Sequence, residues 1–198
     1  MTPKRTDRVA PRAPSGTRTI LDAANPTVTL TRRQSAIGTL TIEAACSPAV
    51  GDLRLGCAFQ LVSGTSSAVS HSDGIRVGPP ATERPVVVSA RERFERLSLD
   101  LRQVGDLGRF LVYAYSGDGS PLAWGGTLQL ETYGGARVEM SIEHASFEGV
   151  FVLLSAYNVN GELVLRAERE ACRGSIREMC RAYGYEQITW LDDRLPVR

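Results

Sequence analysis

Apolar and polar residues alternate with a period of two through much of the chain, which is the pattern of strands that have one buried face and one wet face. The segment 27–30 reads Thr-Val-Thr-Leu, and 39–43 reads Thr-Leu-Thr-Ile-Glu. In 53–62, every second residue from Leu53 to Leu61 is apolar. These three segments are predicted to be strands.

Further strand-like segments follow, separated by turns rich in glycine, aspartate and asparagine: Gly117-Asp118-Gly119, Gly134-Gly135 and Asn158-Val159-Asn160-Gly161. They cover 94–104, 109–116, 122–131, 137–142, 150–157 and 162–168. Segment 150–157 is apolar at nearly every position, so we expect it to be a central strand. Many short strands at this spacing predict two packed antiparallel sheets.

One helix is indicated near the end of the chain. Ser175 and Glu178 form a capping box, and Gly184 suits the position just after a helix. The apolar face would carry Ile176, Met179, Cys180 and Tyr183. We expect this helix to cover a sheet edge or an end of the sandwich, and we expect 187–191 to form a last short strand. The fold class is therefore a two-sheet antiparallel β-sandwich with one C-terminal helix.

Two segments lack strand periodicity. Residues 1–19 are rich in Pro, Arg, Thr and Ser and have little apolar surface to bury, so we expect a disordered basic leader before a single domain at 20–198. Segment 63–84 is rich in Gly, Ser, Pro and Thr. It is predicted to be the longest loop of the domain and the segment with functional potential.

Composition narrows the class of protein. The 198 residues are 42% hydrophobic, and no apolar run approaches the roughly 18–20 residues of a membrane-spanning helix. The basic N-terminus lacks the apolar segment of a secretory signal, so a cytoplasmic location is expected. A net charge of +1 offers no bulk attraction to nucleic acid. The four cysteines show no metal-ligand spacing, so buried reduced thiols are expected.

Candidate catalytic groups are few. His71 lies in Ser70-His71-Ser72-Asp73, which contains the residue types of a catalytic triad, but neighbouring loop residues rarely face one another. The second histidine, His144, lies in a polar turn, and no nucleotide-binding, zinc-protease or nucleophile-elbow motif is present. The sequence thus favours a protein that is not an enzyme. Six aromatic residues could stack on bases or sugars, but their strands lack interleaved basic residues, so core packing is expected. These residues are Trp124, Trp190, Tyr113, Tyr115, Tyr157 and Tyr183.

Carboxylates that could hold a hard cation lie mostly in turns, where capping of backbone amides also explains them. The aspartates considered are Asp52, Asp73, Asp100, Asp106, Asp118, Asp192 and Asp193. Calcium needs about six to eight oxygen ligands, and no contiguous acidic loop supplies them. A metal site would have to be assembled from distant loops.

Several segments resemble the tellurium-resistance TerD family. Residues 160–167, followed by 175–184, look like the family's closing strand and helix. Segment 53–61, ending in Cys-Ala-Phe-Gln-Leu, resembles the strand with its Asp-Leu-Asp-Ala-Ser-Ala-Phe motif, and 69–74 resembles its His-x-Gly-Asp turn. The resemblance spans about residues 27–185. It implies a β-sandwich, a role in bacterial tellurite resistance and stress response, and calcium binding through acidic loops.

The departures from that family fall on the calcium loops. Leu53 and Leu55 stand where the motif has its two aspartates, with Asp52 beside them, and 91–96 reads Arg-Glu-Arg-Phe-Glu-Arg in place of an acidic stretch. Leucine offers no oxygen, and arginine repels a divalent cation. We therefore expect no cofactor and a degenerate calcium site, for which Asp52 and Asp73 are the remaining candidates.

Three functional hypotheses follow. The first is a non-enzymatic TerD-like interaction or scaffold module whose partners are proteins, including other tellurium-resistance proteins. The second is a thiol-based redox protein that uses Cys46 or Cys57, with Arg54 as the positive neighbour that a thiolate needs. The third is an intact calcium-binding stress protein built on Asp52, Asp73 and loop carbonyls.

Overall fold

The computed structural model of the protein describes residues 10–80 and 82–197. Thirteen strands in this part of the chain form two sheets. In chain order they are β1 Arg18–Leu21, β2 Thr27–Thr29, β3 Thr39–Ala45, β4 Leu53–Leu61, β5 Ser66–Ser70, β6 Val77–Gly78, β7 Val87–Arg91, β8 Glu95–Asp100, β9 Leu107–Ser116, β10 Thr127–Thr132, β11 Arg137–Ser141, β12 Val150–Val159 and β13 Glu162–Cys172. The helices are α1 Arg32–Ala36 and α2 Ile176–Ala182.

The seven-stranded sheet has the order β1-β11-β10-β3-β8-β7-β6, and the six-stranded sheet has the order β2-β13-β12-β9-β4-β5. Pairs are antiparallel throughout, except that β1 runs parallel to β11. The predicted two-sheet antiparallel sandwich is confirmed, and β12 is central in its sheet as expected.

Inward-facing residues of the two sheets meet in one apolar core. Ile42 and Leu97 of the seven-stranded sheet and Phe59, Val112 and Phe151 of the six-stranded sheet belong to this core, and each is completely buried. Alternation along the strands explains the packing, because residues two apart share a face. Burial of these side chains is the main source of stability.

Helix α2 begins at the predicted residue but packs at a different place on the sandwich from the one expected. Ser175 and Glu178 form the capping box, and Gly184 follows the helix with φ +76°. The helix packs on the outer face of the six-stranded sheet, where Met179 and Cys180 join a second apolar cluster that includes Tyr113. The prediction of a sheet edge or sandwich end was wrong, because β4, β9 and β12 carry apolar residues on both faces.

The predicted loop at 63–84 is shorter than expected, because it contains β5 and β6. Strand β5 reads Ser-Ser-Ala-Val-Ser and pairs with β4 from Gly56↔Ser70 to Gln60↔Ser66. Four of its five residues are buried. Residues 71–74, between β5 and β6, form a turn.

Both ends of the described chain also differ from expectation. Of the predicted disordered leader, residues 1–9 lie outside the described part, whereas the N–H of Ala13 donates to the carbonyl of Thr29 (2.9 Å) and β1 starts at Arg18. The predicted strand at 187–191 is reduced to one antiparallel bridge between Trp190 and Pro196, flanked by hydrogen bonds from the Leu191 N–H to the Leu195 carbonyl (2.7 Å) and from the Val197 N–H to the Thr189 carbonyl (2.8 Å). None of the described helices is long and apolar enough to cross a membrane.

Candidate functional site

Asp52, the first candidate ligand, lies just before β4. A short 3-10 turn, Pro48–Val50, and Gly51 with φ +102° bring the chain into the strand. Asp52 Oδ1 lies 2.7 Å from Arg54 Nη2 and 3.6 Å from Arg91 Nη1. The carboxylate of Asp52 is thus held by two guanidinium groups.

Glu95, at the start of β8, joins the same group. Its side chain is 3% exposed, and its Oε1 lies 3.2 Å from Arg54 Nη1 and 3.5 Å from Arg91 Nε. The backbone N–H of Leu55 donates to Oε2 over 3.4 Å. Burial raises the pKa of Glu95, against the opposing effects of the Leu55 N–H and Arg54. Asp52, Arg54, Arg91 and Glu95 are called the Glu95 network below.

Leu53 and Leu55, the two leucines compared above with the aspartates of the TerD motif, point into the sandwich. Leu53 is 7% exposed and Leu55 is fully buried, and both belong to the main core. Strand β4 therefore contributes two leucine side chains to the core at its start, and Arg54 lies between them in sequence.

Asp73, the second candidate ligand, lies in the turn after β5. Its Oδ2 accepts from the Tyr115 hydroxyl (2.6 Å), and its Oδ1 accepts from Arg194 Nη2 (3.1 Å). The Tyr115 oxygen also lies 2.6 Å from the Ser70 hydroxyl and 2.8 Å from that of Ser72. Burial, followed by the bond to Asp73, raises the pKa of Tyr115 to about 12. These five residues are called the Asp73 network.

Asp52 and Asp73 do not share a ligand set. Among residues 10–80 and 82–197, no three His, Cys, Asp or Glu side chains are grouped so that they could hold a metal ion. The nearest link between the two networks is His71, which precedes Asp73 by two residues and whose charge lowers the pKa of Glu95. Each candidate aspartate instead has an arginine partner, Arg54 and Arg91 for one and Arg194 for the other.

The segment Ser70-His71-Ser72-Asp73 is not arranged as a triad. The Ser70 hydroxyl bonds to Tyr115 and lies 3.2 Å from that of Ser72, and Asp73 bonds to Tyr115 and Arg194. His71 Nδ1 is buried and has no hydrogen-bond partner within the described residues. The second histidine, His144, packs against the rings of Phe147 and Phe151.

The cysteines lie in surroundings that favour the thiol form. Cys57 and Cys180 are fully buried, and Cys46 and Cys172 are partly buried. Burial raises the pKa of all four thiols. Arg54, the expected positive neighbour of Cys57, is engaged by Asp52 and Glu95 instead.

Sequence reasoning missed Glu95, Tyr115 and Arg194. For Glu95 a signal was present, because Glu95, Leu97 and Leu99 alternate and share the buried face of β8. A charged residue at an inward position needs a partner of opposite charge. Arg194 carried no such signal, since it is 121 residues from Asp73 in the chain.

Comparisons with known proteins add little to this geometry. No protein-family model matches the sequence, and no curated protein matches it. A solved structure titled "Crystal structure of unknown function protein SAV2460" aligns with a TM-score of 0.39 and 11% identity, over 69% of this chain and 93% of that one.

Proposed function

We propose that this chain is a TerD-like β-sandwich of the bacterial stress or tellurite response, located in the cytoplasm, that acts as a non-enzymatic interaction module. Protein partners, including other tellurium-resistance proteins, would bind to its surface. In this proposal the family's calcium site is degenerate, and arginine ion pairs take the place of the metal.

The observation that carries this proposal is the pairing of both candidate aspartates with arginine. Two guanidinium groups lie within 3.6 Å of Asp52, and one lies 3.1 Å from Asp73. A calcium ion at either aspartate would have to displace the arginine side chains or bind beside them. Calcium and a guanidinium group are both positive, and their repulsion is stronger in partly buried surroundings than in water. Leu53 and Leu55, buried in the core, add no side-chain oxygen that could compensate.

The thiol alternative has weaker support. A reactive cysteine needs exposure and a neighbouring positive charge that lowers its pKa. Here burial is the first cause of the raised pKa at each of the four cysteines, and the nearest candidate cation is already paired.

Thermal melting in excess calcium against excess chelator tests the degenerate site. Calcium at one hundred times its dissociation constant would add about 2.7 kcal/mol of stability to a protein with an intact site. We expect no change in melting temperature. A calcium-dependent rise that disappears in Asp52→Asn would contradict the proposal and support the calcium-binding alternative.

The biological role is tested separately by complementation of a deletion strain grown on tellurite. We expect loss of the gene to increase sensitivity, and we expect wild type, Asp52→Asn and Asp73→Asn to restore growth equally well, provided that each variant melts cooperatively. Unchanged tellurite sensitivity in the deletion strain would reject the assignment to tellurite response.

A further inference from the structure

A cavity of about 190 Å³ opens beside the Asp73 network. Its walls come from the loop after β9, the segment that leads into β12, the residues just before α2, and Arg194. We call it the Trp124 cavity, after the tryptophan that forms one wall. The volume is below the roughly 300–1,000 Å³ of pockets for drug-sized ligands, so it limits a ligand to a small molecule.

One side of the Trp124 cavity is aromatic. Trp124 is 6% exposed and stacks on Phe147 with ring centroids 5.1 Å apart and an angle of 13°. Phe151 meets Trp124 edge-on at 5.0 Å behind this pair. Packing against these two phenylalanine rings fixes the orientation of the indole, and a fixed aromatic wall favours a flat apolar group in the cavity.

The lining of the cavity also includes a positioned cation. The Arg194 guanidinium donates to Asp73 and lies 5.0 Å from the centroid of the Tyr115 ring, which also lines the cavity. A guanidinium has five N–H donors, and the Asp73 carboxylate accepts from Nη2 of Arg194. Arginine is well suited to bind a carboxylate through two parallel hydrogen bonds. Glu148, the other charged residue of the lining, is exposed, so water and salt screen its repulsion.

We propose that the Trp124 cavity binds a small aromatic carboxylate, with its carboxylate on Arg194 and its ring against the aromatic wall of Trp124 and Phe147. Asp73 then competes with the ligand for Arg194. This site is separate from the proposed calcium-free interaction role and does not depend on it.

Phenylacetate and its neutral isostere phenylacetamide are the probes, titrated into the full-length protein and followed by calorimetry. We expect phenylacetate to bind at least about tenfold more tightly than phenylacetamide, because the charge-assisted bonds to Arg194 are lost in the amide. This comparison needs no variant. Equal binding of the two probes, or no binding of phenylacetate at millimolar concentration, would overturn the proposal.

Two variants test whether the carboxylate of phenylacetate binds to Arg194. Arg194→Gln should lower the affinity for phenylacetate by about tenfold or more and leave that for phenylacetamide unchanged. Asp73→Asn should raise the affinity for phenylacetate, because the competing carboxylate is gone. Arg102→Gln, a change at an exposed arginine paired with Asp100, is the matched control. It should leave the affinities for phenylacetate and phenylacetamide unchanged. An Asp73→Asn variant that binds phenylacetate no more tightly than wild type would reject the placement on Arg194. Because no calcium is added, this result is independent of the melting test above.

Discussion

The Glu95 network and the Asp73 network use the same chemistry in different surroundings. In the first, Glu95 is 3% exposed and two arginines serve two carboxylates. In the second, Asp73 is 12% exposed, but its partner Arg194 is 43% exposed and lines an open cavity. His71 lies in the same turn as Asp73.

The two networks differ in how deeply their charged side chains are buried, and this difference gives them different roles. A buried ion pair is weak evidence for net stability, yet removal of one partner leaves an uncompensated charge that is costly. An ion pair with an exposed arginine is worth little and exchanges readily with water or ligands. We infer that the Glu95 network maintains the fold at the junction of β4 and β8, whereas the Asp73 network is free to respond to a ligand.

The largest effect should appear when the Glu95 network loses Arg54, which contacts both of its carboxylates. Arg54→Met leaves Asp52 and Glu95 with only Arg91, so we expect a loss of about 3 kcal/mol in the free energy of unfolding. Urea denaturation monitored by circular dichroism measures this loss. Arg102→Met, at an arginine whose side chain is 76% exposed, is the control and should cost about 1 kcal/mol or less. A loss from Arg54→Met that is no larger than the control would show that the Glu95 network does not maintain the fold.

A smaller effect is the dependence of stability on pH. Burial raises the folded-state pKa of Glu95 above its unfolded value. The group therefore stabilises the fold below the unfolded pKa, and this contribution is lost as pH rises through the folded pKa. Arg54, Arg91, Asp52 and His71 surround it.

Glu95→Gln removes this titration. The free energy of unfolding of wild type minus that of Glu95→Gln should rise as pH falls from 7 through the raised pKa toward the ordinary glutamate value. Asp100 gives the opposite sign, because hydrogen bonds from Arg102 lower its pKa to about 2. For Asp100→Asn the same difference should fall as pH drops below about 4. Parallel pH profiles for the two variants would contradict the assignment.

How far the sequence predicts this structure depends on whether the determining contacts are local. The capping box of α2 is correct because Ser175 and Glu178 are three residues apart. Alternation correctly locates the long strands. Strand β5 was missed because its serines and alanine look like a loop, while the small side chain of Ala68 is what allows it to pack in the cluster beneath α2.

The same limit applies to the candidate site. Asp52 and Asp73 were identified from residue type and from the family resemblance, and each lies in a charged network. Their partners come from distant strands and from the C-terminal segment, and no periodicity indicates that Arg194 reaches Asp73. Pairing of this kind depends on the tertiary fold, so the sequence could indicate the two aspartates but not the arginines that pair with them.

The smallest expected effect completes the comparison. Asp73→Asn removes one charge from a pair whose arginine is 43% exposed, and asparagine keeps an oxygen that can accept from the Tyr115 hydroxyl. Tyr115 also keeps its bonds to Ser70 and Ser72. We therefore expect urea denaturation to show a loss below about 1 kcal/mol, smaller than that of Arg54→Met. A loss as large as that of Arg54→Met would mean that the Asp73 network also maintains the fold. In that case Arg194 could not leave Asp73 for a ligand without destabilising the protein.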